Sequence, residues 1–147
     1  AVRDKRIELM NAFIEKEGVS AKPGVEELLD YLREQGIKAA IATSSPMERA
    51  EKYLTQVGLE SAFDAIISGY EVKKGKPEPD IYLKAAKELG IAPEFCVGVE
   101  DSPNGIKSCH AAGYVPVMIP DRIEPTEEIK KLCYKIGKPV SILKEIL

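Results

Sequence analysis

Residues 95–120 read FCVGVEDSPNGIKSCHAAGYVPVMIP, and the punctuation of this stretch decides the fold. The apolar run FCVGVE is followed by Ser102–Pro103, a helix start, because proline is pre-set for the first helical position. That helix runs to Gly113, where a left-handed backbone is cheap, and a second apolar run, VPVMIP, follows. Short apolar runs between helix stops and starts read as strands buried on both faces, as in a parallel sheet.

The same order extends upstream. Pro23 opens a helix with Val25, Leu28, Leu29 and Leu32 on its buried face, Gly36 closes it, and IKAAIATSS (37–45) reads as a strand. Ser45-Pro46-Met47-Glu48 has the form of a capping box before a helix whose Ala50, Tyr53, Leu54 and Val57 face inward and which Gly58 ends. FDAIISG (63–69) is another strand, and Pro79 to Leu89 a helix stopped by Gly90. Downstream, a helix spans roughly Thr126 to Tyr134, and the tail SILKEIL (141–147) is expected to dock. Strands alternating with helices predict an α/β fold, a three-layer Rossmann-like core whose parallel sheet is covered on both faces.

The 147 residues are the size of one ordinary domain. A formal charge of −3 argues against broad electrostatic binding to nucleic acid or an anionic membrane, so any phosphate must be held by a local site. Cys96, Cys109 and Cys133 stand far apart with no C-x-x-C pair, which fits reduced thiols of a cytoplasmic protein better than zinc ligands or disulfides. No apolar run approaches the ~18 residues of a membrane span, and AVRDKRIELM lacks the apolar core of a signal peptide. The first segment carries Ile7, Met10 and Ile14 on one helical stripe ending near Gly18, and a linker covers Val19 to Lys22. A start within helical periodicity, without an initiator Met, leads us to expect a natural chain that begins earlier.

Ligands of open parallel sheets bind beyond the carboxyl ends of the strands, at helix N-termini. Thr43, Ser44 and Ser45 follow one strand; Glu100, Asp101 and Ser102 follow another; Lys76 lies in KKGKPEPD (73–80). The Thr43–Ser45 hydroxyls and helix N–H groups suit a phosphate, although for these residues taken alone capping is the better account. Lys76 precedes Pro77, which biases it toward extended backbone and lets it aim one ammonium into the cleft, whereas Lys73 and Lys74 read as a solvated basic loop. Adjacent carboxylates at the end of an apolar strand repel, and partial burial adds cost. A hard cation offsets this, and Mg²⁺ takes one or two carboxylates plus phosphate and water, so Glu100 and Asp101 are candidate metal ligands. His110, the only histidine, lies mid-helix and reads as a surface residue. Gly75 and Gly98 belong to no dinucleotide fingerprint or P-loop.

Together these pieces resemble the haloacid dehalogenase superfamily over roughly Ala21 to Pro120. IATSSP resembles its second motif, GKPEPDIY its third with the lysine, and VGVEDSPNGI its fourth; the KPxPDIY and VEDSxxG forms are similar to the branch of beta-phosphoglucomutases and sugar-phosphate phosphatases. The resemblance implies that Thr43, Ser44 and Ser45 bind the transferring phosphoryl group and that Lys76 neutralises it and ties it to the nucleophile. It implies Mg²⁺ on Glu100 and Asp101, with Ser102 and Asn104 supporting that loop.

The family's first motif, a strand ending in Asp-x-Asp that supplies the aspartyl nucleophile and the general acid/base, has no counterpart; Asp64, Asp80 and Asp121 stand alone. Residues 1–18 resemble the last helix of a helical cap, and 19–147 an incomplete core. The family's first strand is the middle of its sheet, between those ending at Thr43 and Glu100. A missing N-terminal segment, a swapped partner chain or direct re-pairing of the two strands is therefore expected to fill the gap, and the chain as it stands is expected to be inactive. The leading expectation is a Mg²⁺-dependent phosphatase of a small phosphorylated metabolite such as a sugar phosphate. One alternative is a beta-phosphoglucomutase-type isomerase, disfavoured because Pro46 and Met47 follow Ser45 where such mutases carry a lysine for a second phosphate. The other is a non-catalytic binding module, which has no need of Lys76, Glu100 and Asp101.

Overall fold

The computed structural model describes residue 5, residues 18–137 and residues 140–147. The helix assigned to residues 1–18 thus lies outside the described residues, apart from Lys5 and Gly18. Helix α1 (Val25–Glu34) leads to β1 (Ala40–Thr43), α2 (Met47–Gln56), β2 (Ala65–Ser68) and α3 (Asp80–Leu89). Then come β3 (Val97–Glu100), α4 (Pro103–Ala111), β4 (Val115–Met118), α5 (Glu127–Leu132) and the two-residue β5 (Lys135–Ile136). All four expected strands form, and β5 adds an edge too short to leave a pattern in the sequence.

The starts of α1 and α2 differ from expectation, both for local reasons. The first helix starts at Val25 and not at Pro23, because Gly24 takes a left-handed backbone (φ 86°) that cannot continue a helix. The capping box at Ser45 does not form: α2 begins after Pro46, whose extended ψ of 147° excludes it from the helix, and no side chain caps that end.

Every strand pairing is parallel, but the strands fall into two sheets, β1-β2 and β3-β4-β5. Direct re-pairing of β1 with β3 does not occur. The helices explain why, since both layers span the division. On one face α1 and the C-terminal tail form a cluster of Leu28, Leu32, Val117 and Leu143, with Ala39 and Val97 packed against it. On the other, Ile81, Tyr82 and Ala85 of α3 meet Ile67 of β2 and Cys109 and Tyr114 from beyond β3. Strand β4 alternates between the layers, Val117 facing α1 and Met118 joining Ile106 and Ile129 of α4 and α5. Sliding the sheets together would force both helical layers to repack.

Between β1 and β3 lies a slot of about 390 Å³, lined by Ala40 and Ala42 on one wall and Val97 and Val99 on the other. Val99, inside a strand, is 43% exposed, which marks this wall as uncovered. The tail docks as expected: Leu143 is buried, and Lys144 pairs with Glu27 at 2.5 Å.

Gly98 is a required glycine. A Cβ there would lie 2.1 Å from Cys109 Sγ and 3.3 Å from a Tyr82 ring carbon, so α4 and α3 close on β3 only because it has no side chain. Gly98→Ala should cost about 1–3 kcal/mol by overpacking. In denaturant unfolding, the Gly98→Ala/Cys109→Ala double variant should lose less than the two single losses added together.

Candidate active site

Three chain segments meet at the carboxyl ends of β1 and β3. The first is the loop Thr43–Ser45. Thr43 Oγ1 accepts the Ser45 N–H at 3.1 Å, so that amide is engaged within the turn while the Thr43 hydroxyl proton stays available to a ligand. Ser44 is exposed and Ser45 half-buried.

Ser68, at the end of β2, braces this loop from beneath. It is fully buried, its hydroxyl donates to the Ser45 carbonyl at 2.7 Å and accepts the Tyr70 N–H at 3.2 Å, and its own N–H donates to Glu71 Oε2 at 2.8 Å. Ser68 and Glu71 thus form a true capping box. Sequence reading missed it, although the S-x-x-E spacing was there to be seen.

The second segment carries Lys76. Its ammonium donates to the Ala42 carbonyl of β1 at 3.0 Å, forms an ion pair with Glu100 Oε1 of β3 and lies 5.4 Å from the centre of the Tyr82 ring. One side chain therefore ties the two sheets together at the mouth of the slot. Lys73 and Lys74 are exposed, as expected for a solvated loop.

The third segment is the end of β3. Glu100 is buried, Asp101 exposed, and Ser102 caps α4 by accepting the Gly105 N–H at 3.1 Å. Asn104 is exposed on the first turn of α4, and His110 is exposed further along it. Two carboxylates with hard oxygen donors suit a divalent ion that completes its shell with phosphate and water. Among the described residues no group of three His, Cys, Asp or Glu side chains encloses one.

A family model for haloacid dehalogenase-like hydrolases matches residues 2–113. The chain belongs to that family. It is 38% identical over 109 residues to the phosphorylated carbohydrates phosphatase of Thermotoga maritima, covering 74% of this chain and 50% of that protein. It is 46% identical over 99 residues to hexitol phosphatase A of Escherichia coli, covering 67% of this chain and 45% of that protein. A 38% match over 95 residues to the beta-phosphoglucomutase of Bacillus subtilis covers 65% and 41%. Among solved structures, a putative beta-phosphoglucomutase from Thermotoga maritima superposes with a TM-score of 0.86 at 32% identity, over 98% of this chain and 69% of that one. The chain spans about half the length of the curated relatives it matches.

In this haloacid dehalogenase-like core two further residues shape the Glu100 carboxylate. Tyr82, buried on α3, donates its hydroxyl to Glu100 Oε1 at 2.5 Å. Burial, reinforced by the Glu100 charge, pushes its phenol well above the ordinary value, so it remains a donor. Neighbouring Cys109 is pushed up to about 12, chiefly by burial, and stays a thiol. Gly105 supplies room on the opposite side: a Cβ there would fall 2.0 Å from Glu100 Oε2 and 2.2 Å from its carboxyl carbon. In the sequence Tyr82 figures only as the last residue of GKPEPDIY, with no role of its own; its hydroxyl was the unused signal, since buried tyrosines seek a partner for it.

Gly105→Ala should therefore turn Glu100 away from Lys76. A crystal structure of the variant with the Lys76–Glu100 pair unchanged would refute the close approach as the reason for glycine.

Proposed function

We propose that this chain is the greater part of the core of a Mg²⁺-dependent phosphatase acting on a small phosphorylated metabolite of the sugar-phosphate class. The observation that carries this is the meeting of Lys76, Glu100 and the Thr43 loop at the carboxyl ends of β1 and β3. The curated relatives named as phosphatases of phosphorylated carbohydrates and hexitols support the substrate class.

In this reading the Thr43 hydroxyl and the Ser44 backbone hold phosphoryl oxygens, Ser45 shapes the loop, and the Lys76 ammonium neutralises the same group. Glu100 and Asp101 would hold Mg²⁺, which would supply positive charge to offset that of the phosphoryl group. Ser102 orders the first turn of α4, and Asn104 stands at the rim. Stabilisation of this kind acts through preorganised charge. The nucleophile is a carboxylate presented from the slot between β1 and β3 by a strand outside the described residues, from an N-terminal segment or a swapped partner chain. That carboxylate forms a bond to phosphorus as the ester P–O bond breaks, the alcohol leaving with a proton taken from an acid or from water. Water then attacks the acyl phosphate, releasing inorganic phosphate and restoring the carboxylate.

The matches to beta-phosphoglucomutases keep an isomerase as the second reading. The intact protein with glucose 1-phosphate and Mg²⁺ distinguishes the two: release of inorganic phosphate is expected, and isomer formation without net release, dependent on a bisphosphate activator, would favour the mutase. Lys76→Ala should lower kcat/KM by about 100- to 1,000-fold. The 147-residue chain alone, given Mg²⁺ and an aryl phosphate, should show no turnover; turnover would place the nucleophile within it.

A further inference from the structure

We propose that Tyr82 is a positioning residue for the cation site, acting through Glu100 and touching neither substrate nor metal. The inference rests on the phosphatase reading above and concerns a residue with no place in it so far.

Glu100 is held from three directions. Lys76 and Tyr82 both donate to Oε1, from the loop after β2 and from α3, while Oε2 lies over Gly105 at the first turn of α4. The two donors differ in what they are free to do. Lys76 sits on a loop, and neutralising a phosphoryl group draws its ammonium away from the carboxylate. Tyr82 cannot follow. Its residue is 5% exposed, its ring packs edge-on against Tyr114 at 5.0 Å and 70°, and its carbonyl accepts the Tyr114 hydroxyl at 2.8 Å. When Lys76 turns to substrate, the phenol is the donor that keeps Glu100 in its rotamer. A neutral hydroxyl orients a carboxylate without cancelling its charge and leaves that charge to a cation.

A purely structural role makes a different forecast. If the hydroxyl served only to satisfy itself in the core, its removal would change stability and leave cation affinity alone. Tyr82→Phe separates the two, since it keeps the ring and its contact with Tyr114 and removes only the donor.

The test uses the intact protein and Mn²⁺ as the probe, with binding followed by electron paramagnetic resonance in the absence of substrate. Tyr82→Phe is expected to weaken Mn²⁺ binding by about 10-fold or more, the usual effect of losing a partner that orients a metal ligand. At low Mg²⁺ its kcat/KM should fall by a similar factor, and saturating Mg²⁺ should restore most of it with KM for the sugar phosphate unchanged. Tyr114→Phe, which removes a hydrogen bond from the same ring pair but none from Glu100, should bind Mn²⁺ like the wild type. A folded Tyr82→Phe with wild-type Mn²⁺ affinity overturns the inference and leaves the phosphatase reading standing. Equal weakening in Tyr114→Phe also overturns it, as a general packing effect. Should Tyr82→Phe fail to fold, Tyr82→Met, flexible and equally without the hydroxyl, is read by the same two outcomes. Wild-type protein that binds no Mn²⁺, or whose binding survives Glu100→Gln with Asp101→Asn, sinks both the inference and the reading beneath it.

Discussion

A carboxylate buried at the end of an apolar strand is the constraint around which this molecule is arranged. Isolated in the interior, such a charge costs several kcal/mol. Here Glu100 is 8% exposed and accommodated by a lysine, a tyrosine and a glycine from three different segments. Each contact constrains backbone as well as side chain. Lys76 fixes the loop after β2 against β1, Tyr82 fixes α3 over the sheets, and Gly105 lets α4 start hard against β3. Hydrophobic burial alone favours compactness without choosing among such placements.

Much of this was legible because the strands and helices announce their own ends. Gly36, Gly90 and Gly113 all take positive φ where the sequence marks helix stops, and Ser102–Pro103 caps α4 as read. Lys76 and Glu100 were expected to face each other from chain order, since both follow strands whose carboxyl ends a parallel sheet places together. What the sequence concealed was local competition. Ser45 and Ser68 each head an S-x-x-E pattern, yet only Ser68 forms the box, because Pro46 holds the backbone after Ser45 extended. Tyr82 was hidden differently, because its place in a helix does not say what its hydroxyl meets.

The slot is where local signals run out altogether. Alternation in β3 puts Val97 and Val99 in the same strand with opposite needs from Gly98, and nothing in that pattern says which neighbour covers them. The alanines of β1 and the valines of β3 form two apolar walls, held apart by α1 on one face and α3 on the other. A single parallel strand needs about 5 Å on each side to complete both ladders. Edges of this kind invite pairing, and the described residues supply none.

The position of Lys76 gives the slot a functional sense. Its ammonium sits at the mouth, bonded to a carbonyl of β1 on one side and the carboxylate of β3 on the other. A parallel strand filling the slot would bring its carboxyl end toward that ammonium. An acidic side chain at its tip would then compete with Glu100 for the same positive charge. Such a competitor would leave Glu100 free to meet a cation, and a cation would in turn offset the repulsion between the two acids. Filling the sheet and assembling the charge pattern would then be one event, because the lysine that bridges the divided sheet is also the positive charge nearest the Glu100 carboxylate.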